Sequence, residues 1–405
     1  MSRPAASLWR VPAFYFIHFF SVGVLLPFLN VYYHTVGMSG AQLGFLNAAP
    51  RLAQAVGPPA LSALADKLRR GREVLLVCSA LSAALILLVW GVRSFWPLLI
   101  LVTAYTVARG PLVPVAENLC LRDIRERGGQ YGRVRWWGSL GFIVAATAAG
   151  WLIDRVTIGA MFPLVAASSV ALMGVIFFFP RESGPPRTRF RGDLAALLRR
   201  RPLVVFLLAS MLVSVSGGPF GIYFSIHLRG LGMSGGMVGL AWTVGVVSEI
   251  FFLIFAQAIQ RRVGLKAMIA AGMLASALRW EMTAWTSDAA YLVAIQTLHG
   301  VSFGVYHVAA VQYVDRLSGP ATKNTAQSLY GAATFGVGST VGVLGAGFLL
   351  PVLGFIPLLH AGAALALAAG LGFILLPDGE GGAGDGGPEE WRPGGARPAT
   401  WDGSL

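Results

Sequence analysis

Long apolar stretches alternate with short polar breaks along nearly the whole chain. The breaks hold Gly, Pro and clustered charge, the residues that punctuate helices. About 20 apolar residues in helical form cross the hydrocarbon of a bilayer. The pattern predicts twelve such spans. The first six are residues 11–33, 40–65, 73–92, 95–118, 135–153 and 159–179. The second six are 202–225, 236–259, 264–285, 289–313, 324–350 and 353–376. The expected fold class is all-α and integral to the membrane.

Between the two sets lies "RESGPPRTRFRGDLAALLRRR", residues 181–201, with seven arginines and two adjacent prolines. It reads as a cytoplasmic basic connector between an N-terminal bundle, 1–180, and a C-terminal bundle, 202–377. The tail, 378–405, has nine glycines in 28 residues and little to bury. It is expected to be disordered.

Composition narrows the classes. The chain is 56% hydrophobic and 12% charged, too little charge for a soluble surface. Soluble enzymes, nucleic-acid binders and secreted modules are set aside. The net charge of +13 is read as topology, because basic residues collect in cytoplasmic loops. Of 31 Lys and Arg, only Arg93, Arg155 and Arg229 fall in turns on one side. Arg51, Arg109, Arg135 and Arg279 lie inside spans, and the rest mark the side that carries both termini. That side is expected to be cytoplasmic. The first apolar run continues into a full span, unlike a cleaved signal peptide. Cys78 and Cys120 are too few and too isolated for a disulfide framework or a metal site.

One short phrase occurs twice. "GMSGAQLG" occupies residues 37–44 and "GMSGGMVG" occupies 232–239, agreeing at five of eight letters 195 residues apart. The first leads into span 2 and the second into span 8. The chain therefore reads as two pseudo-symmetric six-helix halves, an architecture that transporters use with the binding site between the halves. Small residues at such helix starts also allow close helix packing.

Charge inside a span is costly unless paired or wet, so each instance is a candidate site. The first half holds Arg51, Arg109, Glu117 and Arg135; the second holds Glu249, Arg279, Glu281 and His299, with His307 deeper in span 10. Arg51, Arg109, Glu249 and His299 approach one layer near the midplane. Glu117 and Arg135 flank the turn between spans 4 and 5 and are positioned to pair. Glu281 lies near a helix end. His18 and His307 read as satisfied interior histidines. Trp136, Trp137, Trp242 and Trp280 read as packing or interfacial anchors.

Span 2 ends in "ALSALADKLRRGREVLL". An Asp followed by clustered bases at this turn resembles the signature loop of the major facilitator superfamily. Asp66 and Arg70 are the gating candidates, with Lys67, Arg69 and Arg72 facing lipid phosphates or acidic groups. "YGRVRWWGSLGFI", "LRWEMTA" and "QTLHGVSFGVYHVAA" sharpen the likeness. They resemble the 3-phenylpropionate permease branch of that superfamily, itself similar to the oligosaccharide:proton symporters. The resemblance implies that Glu117 and Arg135, 18 residues apart, bind substrate. It implies that Arg279 and His299 tune proton coupling. The symporters' proton-carrying Glu on helix 10 is Ser302 here, their helix 8 Glu lies about one turn from Glu249, and their sugar-stacking Trp is Phe142.

The expected function is secondary transport of a small organic solute, an aromatic carboxylate being favoured, with proton-coupled uptake by alternating access. Arg51, Arg109 or Arg135 would offer a fork to a carboxylate, and Glu249 would carry the proton. Export, a sugar or nucleoside symporter, and a non-transporting sensor are the alternatives. No HExxH or phosphate-binding Gly loop occurs, so neither an enzyme nor a cofactor is expected. The expected partners are a small-molecule substrate, protons and the lipid bilayer, with the chain a monomer in a bacterial inner membrane.

Overall fold

The computed structural model describes residues 9–126, 131–180, 197–319 and 322–375. The connector is thus described only from residue 197, and the tail 378–405 lies outside the described residues. The described chain is helical, without a strand.

The first six membrane helices are α1 (Arg10–Thr35), α2 (Gly40–Leu68), α3 (Gly71–Gly91), α4 (Phe95–Arg109, resuming as Leu112–Glu126), α5 (Tyr131–Arg155) and α6 (Met161–Ile176). The seventh, α7, is Arg201–Ser216 followed by Gly218–Gly230. A continuous 50-residue helical stretch, Gly235–Ala284, follows. At 1.5 Å per residue it would be about 75 Å long, more than twice a bilayer's hydrocarbon thickness. It is broken at Gly264, whose φ of 79° and ψ of 167° leave the helical region. It is therefore two helices, α8 (235–263) and α9 (265–284). The last three are α10 (Ala289–Leu317), α11 (Lys323–Leu353) and α12 (Phe355–Ile374). Among the described residues, ten stretches are long and apolar enough to span a membrane. Dividing the 50-residue stretch and adding α2, which carries Asn47, Arg51 and Gln54 in its middle, gives the twelve spans expected.

The helices form two bundles, α1–α6 and α7–α12. An even number of spans returns the chain to the side on which α1 begins, the terminal face. On the opposite, far face, one apolar core joins both bundles, with Phe28, Tyr32 and Phe162 from the first and Phe220, Phe224 and Val343 from the second. Toward the terminal face the core divides. Phe14, Leu75 and Leu172 belong to a cluster of the first bundle, and Phe206, Met268 and Phe373 to one of the second. The bundles are sealed at the far face and parted at the terminal face.

The repeated phrase builds the far-face seal. Its first Gly ends the preceding helix at positive φ, 86° at Gly37 and 81° at Gly232. The next residue, Met38 or Met233, is buried. Its N–H returns to the carbonyl five residues back, and the Gly N–H to the carbonyl three back, completing a Schellman turn. Ser39 and Ser234 cap the next helix, accepting from the N–H of Gln42 and Met237. The following Gly, at 40 or 235, meets the backbone of a helix from the other bundle: a Cβ on Gly40 would lie 2.7 Å from the Gly347 oxygen, and one on Gly235 2.7 Å from the Gly150 oxygen.

Candidate functional site

Charged and polar side chains from three helices meet inside the second bundle. Arg279 of α9 is buried. Its Nε and Nη2 donate to Gln296 Oε1 at 3.1 and 2.6 Å, and Nη1 lies 3.0 Å from His299 Nδ1. A guanidinium has donors only, so Nδ1 accepts and the neutral ring carries its proton on Nε2. Nε2 faces Glu249 of α8, with Oε2 at 3.7 Å. The order is Gln296, Arg279, His299, Glu249. Burying the guanidinium costs several kcal/mol unless it is compensated. Three polar contacts do so, with the rings of Phe220 and Trp280 centred 4.4 and 5.0 Å from Cζ.

Local irregularity in α10 supplies this aim. Residues Gln296–Leu298 are 3-10 and Gly300–Val305 are π-helical. Tighter and wider turns placed back to back mark functional sites more often than regular helix. Here they set Gln296 and His299 beside α9 and α8.

Beside this chain is a cavity of about 780 Å³ between the bundles. Glu249, Arg279, Gln296 and His299 form one wall. Phe19, Trp136 and Phe142 face it from the first bundle, and Phe220, Phe224, Trp242, Trp280 and Phe303 from the second. Trp242 and Trp280 are held by Nε1 hydrogen bonds to Ser225 and Ser216, at 2.9 and 3.1 Å. Three of the four tryptophans read as anchors, 136, 242 and 280, thus line the cavity. A ring-bearing solute would meet apolar faces on several sides and ionisable groups on one.

Of the described first-half candidates, Arg51, Arg109 and Glu117 lie elsewhere, while Phe142 lines the cavity. Arg109 turns into its own bundle, donating to Ser21 Oγ at 2.7 Å, Tyr105 Oη at 3.1 Å and the His18 carbonyl at 3.1 Å. Glu117 accepts from Tyr15 Oη. Arg51 reaches across the bundles to the Ser339 carbonyl at 3.4 Å. None of the three lines the cavity. The side chains of Arg135 and Asp66 lie outside the described residues. Arg70 is exposed on the α2–α3 turn at the parted terminal face. Glu281 is part-exposed and 3.0 Å from His360. His307 stacks on Phe303, whose other face meets His299, with ring centres 5.5 and 5.3 Å apart.

Sequence reasoning passed over Gln296 and Ser248. Gln296 opens a motif that carries the family likeness and is a polar residue in an apolar helix, a readable signal. Ser248 carries no such signal, since serines are common in membrane helices.

Two six-helix bundles sealed at one face, with a polar and aromatic cavity between them, define a membrane transporter. The chain belongs to the MFS_1 like family, whose family model matches residues 8–356. It is 32% identical over 347 residues to a maltose permease of Geobacillus stearothermophilus, covering 84% of this chain and 86% of that one. It is 25% identical over 346 residues to a probable 3-phenylpropionic acid transporter of Escherichia coli (strain K12), covering 84% and 90%. The crystal structure of the nucleoside transporter NupG superposes with a TM-score of 0.82 at 18% identity, over 90% of this chain and 98% of that one. The chain is a multi-pass secondary transporter of small solutes in a lipid bilayer, and not an enzyme.

Proposed function

We propose that this transporter takes up a small ring-bearing organic solute together with protons, an aromatic carboxylate being the favoured cargo. It acts as a monomer in a bacterial inner membrane, with the terminal face cytoplasmic. The observation that carries the reading is the cavity wall, where Glu249 and His299 Nε2 adjoin the aromatic chamber while Arg279 occupies Nδ1. A second proton on His299 would set an N–H against Arg279's donors, which confines the mobile proton to the Glu249 end. A proton there changes the charge beside the solute, and its differential binding to the two arrangements of the bundles drives reorientation. The solute carboxylate would lie toward Arg279 and His299. Arg135, which directly precedes the cavity-lining Trp136, is a further candidate for it. Arg51 and Arg109 support the bundles in this reading. Residues 181–201 link the halves, and Asp66 with Arg70 fasten the terminal face when it closes.

A second reading, a saccharide cargo, draws on the likeness to the maltose permease. Proteoliposomes separate the two when offered 3-phenylpropionate, maltose and a nucleoside with and without an acid exterior. Accumulation of 3-phenylpropionate is expected to follow the pH gradient. Glu249→Gln is expected to retain exchange of labelled for unlabelled solute and to lose gradient-driven accumulation. Normal gradient response in Glu249→Gln would remove the coupling role, and accumulation of maltose alone would transfer the cargo to the second reading.

A further inference from the structure

Ser248 adjoins Glu249 on α8 and is buried. Its hydroxyl enters the irregular part of α10. There Oγ donates to the Thr297 carbonyl and accepts the Gly300 N–H at 3.1 Å. These two backbone groups lie where the 3-10 turn gives way to the π turn. The helices are in contact at this point: a Cβ on Gly300 would lie 2.3 Å from Ser248 Oγ and 2.5 Å from the Ser248 carbonyl oxygen. Gln296 directly precedes the pinned segment, and His299 lies within it.

We propose that Ser248 is a positioning residue for proton coupling: its hydroxyl pins the break in α10 and so holds Gln296 and His299 in line with Arg279 and Glu249. The inference rests on the proton-coupled reading above. Residues 248 and 249 project from one helix, one toward the α10 backbone and the other toward the His299 ring. A shift of α10 along α8 therefore alters the hydroxyl contacts and the Glu249–His299 approach together. Among the described residues, the ionisable groups at this point are Glu249 from α8, Arg279 from α9 and His299 from α10. The cavity-lining residues of α5 and α7 add Ser139 and aromatic rings, none of them charged.

Ser248→Ala removes the hydroxyl with little change in volume, and Ser248→Thr restores one. Two measurements on the full chain in nanodiscs test the idea. Hydrogen exchange reads peptides covering residues 296–305. Infrared pH titration reads the carboxyl band assigned to Glu249 by its loss in Glu249→Gln. In Ser248→Ala, exchange is expected to rise in that peptide. The Glu249 midpoint is expected to move by about half a pH unit, roughly a threefold change in proton affinity. Ser248→Thr is expected to restore both. Raised exchange with an unmoved midpoint would make Ser248 merely structural and overturn the proposal, and so would a variant that matches the parent in both. A parent without any Glu249-dependent band is a different result: it removes Glu249 as the proton site and with it the reading on which this inference stands.

Discussion

The far face is sealed by two helix crossings of the same design and different chemistry. At one, α8 crosses α5; at the other, α2 crosses α11. Gly235 and Gly239 of α8 correspond to Gly40 and Gly44 of α2, offset by 195. Gly150, Ala146 and Thr147 of α5 correspond to Gly347, Val343 and Leu344 of α11, offset by 197, and the two sets meet corresponding glycines, Gly235 and Gly239 in one crossing and Gly40 and Gly44 in the other. The departure is at Asp154, whose counterpart is Pro351. Asp154 accepts from the N–H groups of Gly235 and Gly236 at 2.6 and 2.8 Å and pairs with Arg229 at 3.2 Å. A carboxylate at a helix start meets both free N–H groups and the positive end of the helix dipole. Pro351 gives the other crossing only shape, its Cδ lying 3.3 Å from a Cβ built on Gly40. Duplication thus preserved the backbone contact, while charge reinforces one copy alone. Alternating access must open both.

The largest effect is expected where the shared element is removed. A Cβ on Gly150 would lie 2.3 Å from the Gly235 carbonyl oxygen, a backbone atom that cannot step aside. Overpacking of this kind costs roughly 1–3 kcal/mol, and here the cost falls on the sealed state alone. Gly150→Leu should therefore shift the population toward an open far face by about 5- to 150-fold. Spin labels at Val156 and Leu231, with Cys78 and Cys120 replaced, should report a longer distance and slower uptake. An unchanged distance would show that the crossing does not hold the face closed.

Asp154→Ala should act more mildly. Loss of a helix cap costs roughly 0.5–2 kcal/mol, and the Arg229 pair, with side chains 39% and 28% exposed, adds little. The same labels should show a shift toward the open state of about 2- to 30-fold. A second pair at Val36 and Val352, across the α2–α11 crossing, should move less. High salt should weaken the parent's α5–α8 seal and leave the other untouched. Equal salt sensitivity at both crossings would erase the proposed difference.

How much of this was readable from residues alone follows a physical line. The twelve helices were legible because hydrocarbon demands a length, and glycine and charge mark its ends. The repeat at residues 37–44 and 232–239 was legible because each shared letter meets a local need, whether a positive φ, a buried Met, a cap or a close approach. Arg51, Arg109 and Arg279 look alike in sequence, each a cation within a span. Only helix rotation separates Arg279, on the cavity wall, from Arg109, bound to Ser21 and Tyr105 inside its bundle. Asp154 was passed over because its partners, Gly235 and Gly236, lie 81 and 82 residues away and Arg155 beside it reads as a topology charge. The break in α10 was hidden as well, because Ser248 on another helix pins it.

The smallest effect, and the sharpest test of the comparison, comes from giving the α2–α11 crossing what it lacks. Pro351→Asp places a carboxylate where Asp154 stands in the other copy, beside the start of α2. The substitution also restores a backbone N–H opposite the Gly347 carbonyl, which Pro351 cannot supply. Pro351→Ala makes that second change alone, so the difference between the two variants isolates the charge. A carboxylate at an exposed helix start contributes roughly 0.3–1 kcal/mol. Pro351→Asp should thus favour the sealed state about two- to fivefold over Pro351→Ala at low salt, read from labels at Val36 and Val352. The advantage should vanish at high salt. If the two variants coincide at every salt concentration, Asp154 owes its effect to Arg229 rather than to the helix start, and the two crossings differ in their ion pair alone.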